Sequence, residues 1–382
     1  MVKKRVIIRA TTVPRSLSLF KGTMEALQMD YEVQLLSSSG QEMVDMGLKF
    51  GVKTHSVEMY RRMSPIKDLR ALFEIIKVFR REKPFMVHSM TPKAGLLCMM
   101  AAWWARIPVR LHTFTGLVWP TEKGLKKRLL MFTDRITCFC ATHVIPEGEG
   151  VKNDMLNNHI TKKPIRVLGY GNVKGVDMVR FSKRPEVMEG AAKLKDKRLF
   201  SFLFVGRIVR DKGINELCEA FESLNKRYPN SRLLLVGGFE NDIDPISNRA
   251  KTIIENNPSV YSEGPKYDDD LLAYYAASDC FVFPSYREGF PNTVLEAGAM
   301  DLPCIVTDIN GSREIIVEGE NGTVIPPMDA GALYKVMERM ITDEKWRENM
   351  VRNARSMIMN RYEQGFVQRC LMDFYCELLS VK

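Results

Sequence analysis

The fold class is decided by the stretch Cys280-Phe281-Val282-Phe283-Pro284-Ser285-Tyr286-Arg287-Glu288-Gly289-Phe290-Pro291-Asn292-Thr293-Val294-Leu295-Glu296-Ala297. Its first four residues are all apolar, which predicts a buried strand, because parallel strands covered on both faces show little alternation. A polar loop follows, and Pro291 suits the first turn of a helix that starts near Asn292. The stretch therefore predicts one strand–loop–helix unit of an α/β protein.

Two carboxylates in this stretch, Glu288 and Glu296, stand eight positions apart. In a continuous helix they would be separated by about 12 Å along the axis and about 80° around it. That separation is too large for an acid/base pair acting on one atom. It suits a clamp on the two ends of a long ligand, with a helix N-terminus between them available for phosphate. A nucleotide sugar has this layout, with a sugar, a diphosphate and a ribose in line.

A second strand-to-helix loop reads Gly206-Arg207-Ile208-Val209-Arg210-Asp211-Lys212-Gly213. It follows the predicted strand Phe200–Val205 and precedes a helical pattern that begins at Ile214. Its three cations and the amides of the helix start suit phosphate binding. The loop is not a P-loop, because Gly-x-x-x-x-Gly-Lys-Ser/Thr is absent. On its own, a structural loop with solvated charges explains it equally well.

Elsewhere, short apolar runs alternate with helical patterns such as Ile214–Lys226 and Asp329–Ile341. The predicted strands are Arg5–Ile8, Glu32–Leu36, Met86–His88, Val109–Thr113, His143–Ile145, Ile165–Leu168, Phe200–Val205, Arg232–Val236, Cys280–Phe283, Cys304–Thr307 and Gly322–Ile325. Regular alternation of strands and helices predicts α/β architecture with parallel sheets. A charged run at Phe181–Arg198, followed by a new strand, predicts a domain boundary near residues 175–200, and thus two Rossmann-like domains.

Composition limits the classes of protein that remain. No apolar run reaches the roughly 18 residues of a membrane span, and the short apolar start before Arg9 predicts a strand rather than a signal peptide. The eight cysteines contain no Cys-x-x-Cys pair, which favours reduced core thiols in a cytosolic protein. Residues 1–180 carry 30 Lys+Arg and 15 Asp+Glu, a charge of +15, whereas residues 181–382 carry 26 and 31, a charge of −5. The basic half suggests a lipid surface, a phosphorylated acceptor or a nucleic acid as partner, although a solvated charged surface also fits.

Two basic segments bear on a membrane partner. Ser64–Arg81 is predicted to be an amphipathic helix with Ser64 at the N-cap and Pro65 in the first turn, and Lys123–Arg128 is a second basic stretch. We hypothesise that this basic domain docks on anionic lipid and receives a polyprenyl-diphosphate acceptor. For either segment alone, a helix packed on the sheet with an ordinary charged outer face is the alternative.

Arg207, Lys212 and the two glutamates separated by seven residues resemble the donor-site pattern of retaining GT-B glycosyltransferases, specifically glycosyltransferase family four. The resemblance covers nearly the whole chain and is greatest for bacterial transferases that build capsule or O-antigen repeat units on a lipid carrier. Further matching segments are Thr12–Ser16, Arg110–Gly116, Gly175–Phe181 and Thr307–Ile316. The implied fold has two Rossmann-like parallel-sheet domains facing across a deep cleft: an acceptor domain (1–178) and a donor domain (179–361). Residues 362–382 are expected to pack back onto the first domain.

The resemblance also implies roles for single residues. Arg207 and Lys212 would bind the donor diphosphate and stabilise the leaving group, Glu288 would contact the transferred sugar, and Glu296 would bind the ribose. The remaining expected donor-site residues are Gly206, Pro265, Lys266, Phe290, Pro291, Asn292 and Thr293. On the acceptor side, His112 corresponds to a family histidine near the reacting sugar, and the Thr-Phe-Thr-Gly that follows it favours this role over a core histidine. Pro14, Arg15 and Ser16 would face the acceptor, whose identity is open because relatives often carry Gly-Gly there.

The family's chemistry needs no metal and no cofactor, since the cations replace the metal. The acidic runs Asp242–Asp244 and Asp268–Asp270 are therefore interpreted as structural, the latter as a helix start. The resemblance favours a UDP-sugar donor, with an N-acetylhexosamine as one candidate, and a cytoplasmic enzyme peripheral to the inner face of the membrane. A nucleotide-sugar 2-epimerase of the same fold and an inactive lipid- or protein-binding scaffold are the alternatives. No recognition motif supports nucleic-acid binding.

Overall fold

The computed structural model describes residues 4–60, 64–240 and 244–380 of the chain. They form two compact units, of which the first comprises the chain up to Gly175 together with the segment from Gln364 onwards, and the second comprises Val176–Glu363. Each unit contains one six-stranded sheet in which every pair of neighbouring strands is parallel. Among the described helices, none has both the length and the apolar character needed to cross a membrane.

The strands of the first unit are β1 (Val6–Ala10), β2 (Glu32–Ser37), β3 (Lys53–Ser56), β4 (Met86–Met90), β5 (Val109–Phe114) and β6 (His143–Pro146). Those of the second are β7 (Phe200–Val205), β8 (Ser231–Val236), β9 (Val260–Gly264), β10 (Cys280–Phe283), β11 (Cys304–Thr307) and β12 (Gly322–Ile325). The strand orders are β3-β2-β1-β4-β5-β6 and β12-β11-β10-β7-β8-β9. Both sheets therefore have the doubly wound order of a Rossmann fold, with switch points between β1 and β4 and between β7 and β10.

The α-helices are α1 (Met24–Asp30), α2 (Gln41–Phe50), α3 (Pro65–Glu82), α4 (Pro92–Trp104), α5 (Gly124–Cys140), α6 (Glu149–Asn157), α7 (Pro185–Leu194), α8 (Ile214–Arg227), α9 (Asn248–Asn256), α10 (Asp268–Ala277), α11 (Asn292–Ala299), α12 (Ser312–Ile315), α13 (Ala330–Thr342), α14 (Glu344–Tyr362) and α15 (Gln364–Ser380). Short 3₁₀ helices span Pro14–Thr23 and Arg210–Lys212. In the first unit, α3, α4, α5 and α6 share one apolar core, while the first 3₁₀ helix, α1, α2 and α15 share another. The sheet is thus covered on both faces, which is why its central strands are apolar.

Ten of the eleven predicted strands are present, and the prediction of a strand at Ile165–Leu168 is wrong. That segment joins no sheet: Pro164 precedes it, and Gly169 and Gly171 after it have φ of 56° and 94°, so the chain turns instead. The strands β3 and β9 were not predicted. Both lie at sheet edges, where strands are partly solvated and polar, and an apolar run is no guide there.

The C-terminal helix α15 packs on the first unit through apolar side chains and through a buried cluster of polar side chains. Tyr375 of α15 hydrogen-bonds His88 Nδ1, and His88 Nε2 lies 2.8 Å from Thr113 Oγ1. The guanidinium of Arg9, on β1, is fully buried 4.2 Å from the ring centre of Phe20. Burial lowers the pKa of Arg9 and holds the pKa of His88 well below its usual value. The charge that interrupts the apolar N-terminus in the sequence thus lies inside the protein.

A buried hydrogen bond links helix α5 to the preceding loop. The indole nitrogen of Trp119, which is 2% exposed, donates to Asp134 Oδ2 at 3.0 Å. Burial raises the pKa of Asp134 to about 7, and the bond from Trp119 opposes that shift. Between the pKa of an unfolded aspartate, about 3.9, and this value the folded chain binds more protons than the unfolded chain, so stability falls as pH rises.

Asp134→Asn should therefore become progressively more stable than the wild type as pH rises from about 5 to about 8, since asparagine keeps an acceptor for Trp119 and cannot ionise. The free energy of unfolding from urea titrations at several pH values measures this. The exposed Asp45→Asn on α2 is the matched control and should show no such trend. A constant difference between Asp134→Asn and wild type across this range would contradict the raised pKa.

Candidate active site

The two loops identified from the sequence meet at the switch point of the second sheet. One follows β7 and the other follows β10, which are neighbouring strands. The amide of Tyr286 donates to the carbonyl of Asp211 at 2.8 Å. Gly213 has φ of 72°, and a Cβ placed on it would lie 2.0 Å from the carbonyl oxygen of Pro284. The loops approach this closely only because residue 213 has no side chain.

Lys212 and Glu288, one from each loop, form a hydrogen-bonded ion pair. Their side chains are 13% and 16% exposed, so the pair is largely withdrawn from solvent. The hydroxyl of Ser285, which is fully buried, lies 2.9 Å from Glu288 Oε1. Two residues expected to bind the donor are thus held by each other, and Ser285 fixes the carboxylate.

Arg207 stands at the end of β7 beside the loop that follows β8. Its Nη1 donates to Glu240 Oε2 at 2.8 Å, and its side chain is 45% exposed. Burial opposes the positive charge, but the hydrogen bond and attraction of Glu240, with smaller contributions from Asp211 and Glu288, outweigh it and raise the pKa of Arg207. The guanidinium is therefore positioned and charged before any ligand arrives.

Glu296 lies on α11, which begins at Asn292 as predicted, although Pro291 is at the N-cap rather than inside the first turn. The hydroxyl of Tyr275, a buried residue of α10, donates to Glu296 Oε2 at 3.3 Å. Burial, and then the charge of Glu296, raise the pKa of Tyr275 well above its usual value, so the phenol stays protonated. Because Glu288 precedes the helix, the two carboxylates are not carried by one continuous helix.

The remaining predicted donor residues do not all lie at the switch point. Gly206 follows β7 directly, and Asn292 and Thr293 begin α11 half-buried. The ring of Phe290 is 5% exposed and packs 5.4 Å from that of Tyr362, so only its backbone faces a ligand. Pro265 and Lys266 follow β9, an edge strand separated from β7 by β8. They share the carboxyl edge of the sheet with the loops, but not the switch point.

The acidic runs have structural partners. Helix α10 begins at Asp268, and Arg180 and Arg184 bind Asp268 and Asp269 at 2.9 and 2.6 Å. Asp244 accepts from Arg210 Nε at 3.0 Å, while Asp242 and Ile243 lie outside the described residues. Within the part of the chain that the structure covers, no three His, Cys, Asp or Glu side chains are grouped as metal ligands.

The acceptor-side residues lie in the first unit. His112 is inside β5 rather than beyond its end, 1% exposed, with Nδ1 2.8 Å from Ser89 Oγ. Its ring lies against Gly95 so closely that a Cβ there would be 2.4 Å from the imidazole, and burial lowers the pKa of His112 to about 3. The ring is thus neutral at physiological pH. Pro14, Arg15 and Ser16 lie on the 3₁₀ helix that follows β1.

Glu240, Tyr275 and Ser285 were not predicted as site residues. A signal existed for Glu240, because the loop after β8 must reach the same sheet edge as the loop after β7. Ser285 follows a buried strand directly, which favours a buried hydroxyl. Nothing in the sequence joins Tyr275 to Glu296, since they lie on different helices.

Two Rossmann-like sheets, with a pair of basic and acidic side chains at the second switch point, place the protein in the GT-B class of glycosyltransferases. Residues 189–357 match the model for glycosyl transferases group 1, and residues 20–171 match that for a glycosyl transferase 4-like domain. The chain belongs to the group 1 glycosyltransferases, as its overall identity to a curated member also shows.

That relative is the capsular polysaccharide biosynthesis glycosyltransferase CapM of Staphylococcus aureus, 32% identical over 99% of both chains. A second, the UDP-Gal:alpha-D-GlcNAc-diphosphoundecaprenol alpha-1,3-galactosyltransferase of Escherichia coli, is 28% identical over 84% of this chain and 83% of that one. The crystal structure of Anabaena Alr3699/HepE in complex with UDP has the same fold, with a TM-score of 0.79, 14% identity, and coverage of 98% of this chain and 100% of that one. Family membership favours the transferase over the epimerase.

Gly213→Ala should lower the free energy of unfolding by at least about 2 kcal/mol, because φ of 72° strains alanine and its Cβ overlaps the carbonyl of Pro284. Gly238→Ala is the matched control, since a Cβ there meets no atom within 4 Å. Chemical denaturation of both variants measures the difference. Equal stability of the two variants would show that the loops do not depend on their close approach.

Proposed function

We propose that this protein is a retaining, metal-independent glycosyltransferase that moves a sugar from a nucleoside-diphosphate sugar to a lipid-linked glycan acceptor during surface polysaccharide synthesis. The second unit would bind the donor and the first unit the acceptor. The observation that carries the proposal is the meeting of Arg207, Lys212 and Glu288 at the switch point of the second sheet, with Glu296 on the helix that follows.

Arg207 and Lys212 are proposed to stabilise the departing nucleoside diphosphate. When the glycosidic bond breaks, negative charge accumulates on the diphosphate, and fixed cations lower the barrier most where that charge develops. Glu240 holds Arg207 in place, so little reorganisation is needed when the donor binds. These two side chains would supply the positive charge that a metal ion supplies in other transferases.

The ion pair between Lys212 and Glu288 gives Glu288 two tasks in this proposal. One carboxylate oxygen binds Lys212 and lies near Ser285, which fixes the ammonium toward the diphosphate. The other oxygen would accept a hydroxyl of the transferred sugar. Donor binding then adds a second anion to Lys212 rather than filling an empty cationic site, and the carboxylate limits how tightly the diphosphate product is held.

Glu296 is proposed to accept hydrogen bonds from the ribose hydroxyls. Tyr275 stays protonated and donates to Oε2 of Glu296, which holds the carboxylate in place on α11. Gly206 and the amides at the start of α11, at Asn292 and Thr293, would approach the phosphates. Pro265 and Lys266 would border the base, at the edge of the same sheet.

Uridine is the proposed base, because one relative is named for transfer from UDP-Gal and the Anabaena structure holds UDP. The proposed sugar, an N-acetylhexosamine, rests on family resemblance alone. The relatives' names also support a diphosphoundecaprenol-linked acceptor and a role in capsule synthesis. Pro14, Arg15 and Ser16 would face that acceptor, and His112, neutral and buried inside β5, would support the acceptor side from beneath it.

A lipid-linked acceptor would bring the enzyme to a membrane, and we propose that it binds the anionic cytoplasmic face peripherally. The first unit carries the positive charge expected of such a protein. On α3, however, part of that charge is neutralised internally, since Arg70 binds Glu74 at 3.2 Å and Arg81 binds Glu82 at 2.6 Å. Helix α3 alone is therefore a weaker anchor than its sequence indicates.

Arg207→Ala should lower kcat by about a hundredfold or more, because a charge that stabilises the transition state is removed. The free energy of unfolding should change by less than about 1 kcal/mol, since the lost ion pair is partly solvent-exposed. Arg249→Ala, which removes a surface ion pair on α9, is the matched control for activity. Near-normal turnover of Arg207→Ala would remove the leaving-group role.

UDP should raise the melting temperature of the wild type more than GDP or ADP does, because a ligand that binds only the folded state stabilises it by mass action. Glu296→Ala should abolish most of this shift and weaken UDP binding in calorimetry. The exposed Glu255→Ala on α9 should behave as wild type. Unchanged UDP affinity in Glu296→Ala would contradict the ribose assignment, and the absence of a shift with any nucleotide or nucleotide sugar would contradict the function.

A further inference from the structure

The first unit contains a pocket at the amino ends of two neighbouring strands, named here the α3/α4 pocket. The segment between α3 and β4 forms one wall, and the segment between α4 and β5 forms the other. Its volume of about 420 Å³ falls within the range of about 300 to 1,000 Å³ that small-molecule sites occupy. The switch point of this sheet is at the carboxyl ends of the strands, so the α3/α4 pocket lies at the opposite edge.

Three of the side chains that line the α3/α4 pocket are cations: Arg80, Lys83 and Arg106, all of them exposed. In the described part of the chain, no acidic residue lines the pocket, and none of the three cations is paired with a carboxylate. The neighbouring carboxylate, Glu82, is engaged elsewhere, because Lys53 binds it at 2.7 Å. That hydrogen bond is the largest of the contributions that lower the pKa of Glu82 to about 2. The pocket therefore keeps its positive charge.

Helix dipoles account for only part of this charge. The carboxyl end of a helix carries about half a negative charge, which cations in the last turn complement. Arg80 lies in the last turn of α3 and can serve this purpose. Two helix ends together supply about one negative charge, whereas three cations line the pocket. A surplus of about two positive charges thus remains for a ligand.

Two of the cations occupy backbone positions that suit glycine better. Lys83 ends α3 with φ of 48°, and Arg106 follows α4 with φ of 55°. The amides of Arg106 and Ile107 donate to the carbonyls of Trp103 and Ala102 at 3.1 and 2.9 Å. This is a Schellman motif, in which glycine is the usual residue at the position of Arg106. Each wall of the pocket thus carries a cation in a conformation that its Cβ disfavours, and such strain is often kept for function.

The rest of the lining is apolar. Phe79 and Ile107 are 1% and 3% exposed, and Phe85 is half-buried. The guanidinium of Arg5 lies 4.3 Å from the ring centre of Phe85 and places a further cation beside the pocket. A bare phosphate ion would contact the cations but leave this apolar lining uncovered. A ligand that joins phosphate to an apolar organic part matches both.

We propose that the α3/α4 pocket is a second ligand site, which binds a small phosphorylated molecule with an apolar organic part. Arg80, Lys83 and Arg106 bind the phosphate, and Phe85 and Ile107 pack against the organic part. A lipid headgroup offers the same phosphate chemistry, but the apolar lining is recessed and has no side chain that could enter a bilayer. The proposed donor and acceptor residues lie elsewhere, so this site does not depend on the proposed function.

The test titrates the full chain with inorganic pyrophosphate, against sodium chloride of matched ionic strength, and follows hydrogen exchange by mass spectrometry. Exchange in segments 79–85 and 105–109 of the wild type should slow, because the ligand holds both walls together. Lys83→Gly/Arg106→Gly should weaken this binding about tenfold or more, since two charge-assisted hydrogen bonds are lost. Its melting temperature should equal or exceed that of the wild type, because glycine relieves the left-handed backbone. A purely structural role for the two cations would give the opposite result, a lower melting temperature with unchanged binding.

Two further variants control for backbone and charge. Arg80→Gln leaves both left-handed positions unchanged and should also weaken pyrophosphate binding. Lys77→Ala/Arg128→Ala removes two exposed cations that do not line the pocket, and it should bind as wild type. Protection confined to the second unit, wild-type affinity in Lys83→Gly/Arg106→Gly, or an equal loss in the charge-matched control would each overturn the proposal.

Two other probes identify the class of ligand. Phenyl phosphate should protect segments 79–85 and 105–109 at lower concentration than inorganic phosphate does, and equal affinities would contradict the organic part. Vesicles of phosphatidylglycerol test the lipid source. If Lys83→Gly/Arg106→Gly keeps its pyrophosphate affinity but loses vesicle binding, the cations serve a headgroup and the soluble ligand is overturned.

Discussion

The absence of a Cβ at Gly213 is the constraint on which the site of the second unit depends. With φ of 72° and the carbonyl of Pro284 where a side chain would be, residue 213 lets the loop after β7 lie directly on the loop after β10. The hydrogen bond from Tyr286 to Asp211 closes the contact. Lys212 and Glu288 are brought together as a consequence, because each is adjacent to this junction in its own loop.

The doubly wound strand order is what brings these two loops to one place. Residues 206 and 284 are far apart in sequence, yet β7 and β10 are neighbours, and parallel strands end at the same edge. The same order in the first sheet brings the ends of β1 and β4 together, where Thr12 and Thr91 share a hydrogen bond of 2.7 Å. A similar architecture is thus used twice, with charged side chains at the second switch point and hydroxyls at the first.

Much of this was predictable from the sequence, and the failures have physical causes. Central strands such as β7 and β10 are apolar because both of their faces are covered, so their bounds were predicted to the residue. The solvated edge strands β3 and β9 lack that signal. Arg207, Lys212, Glu288 and Glu296 were predicted as separate ligand contacts, but their partners were not. The partner of Lys212 is Glu288, and such a pairing depends on strand order, which the residue types do not encode.

The first unit shows the limit of periodicity as a guide to which side of a helix is inside. In α5, Leu125, Leu129 and Phe132 have the spacing of a buried face, yet the chain buries Thr137 and Cys138 on the other side and exposes these larger side chains. The available partners decide which face packs. Trp119 donates a hydrogen bond to Asp134, and Lys163 binds a carbonyl at the end of the helix. The exposed face costs hydrophobic free energy in water unless something apolar covers it.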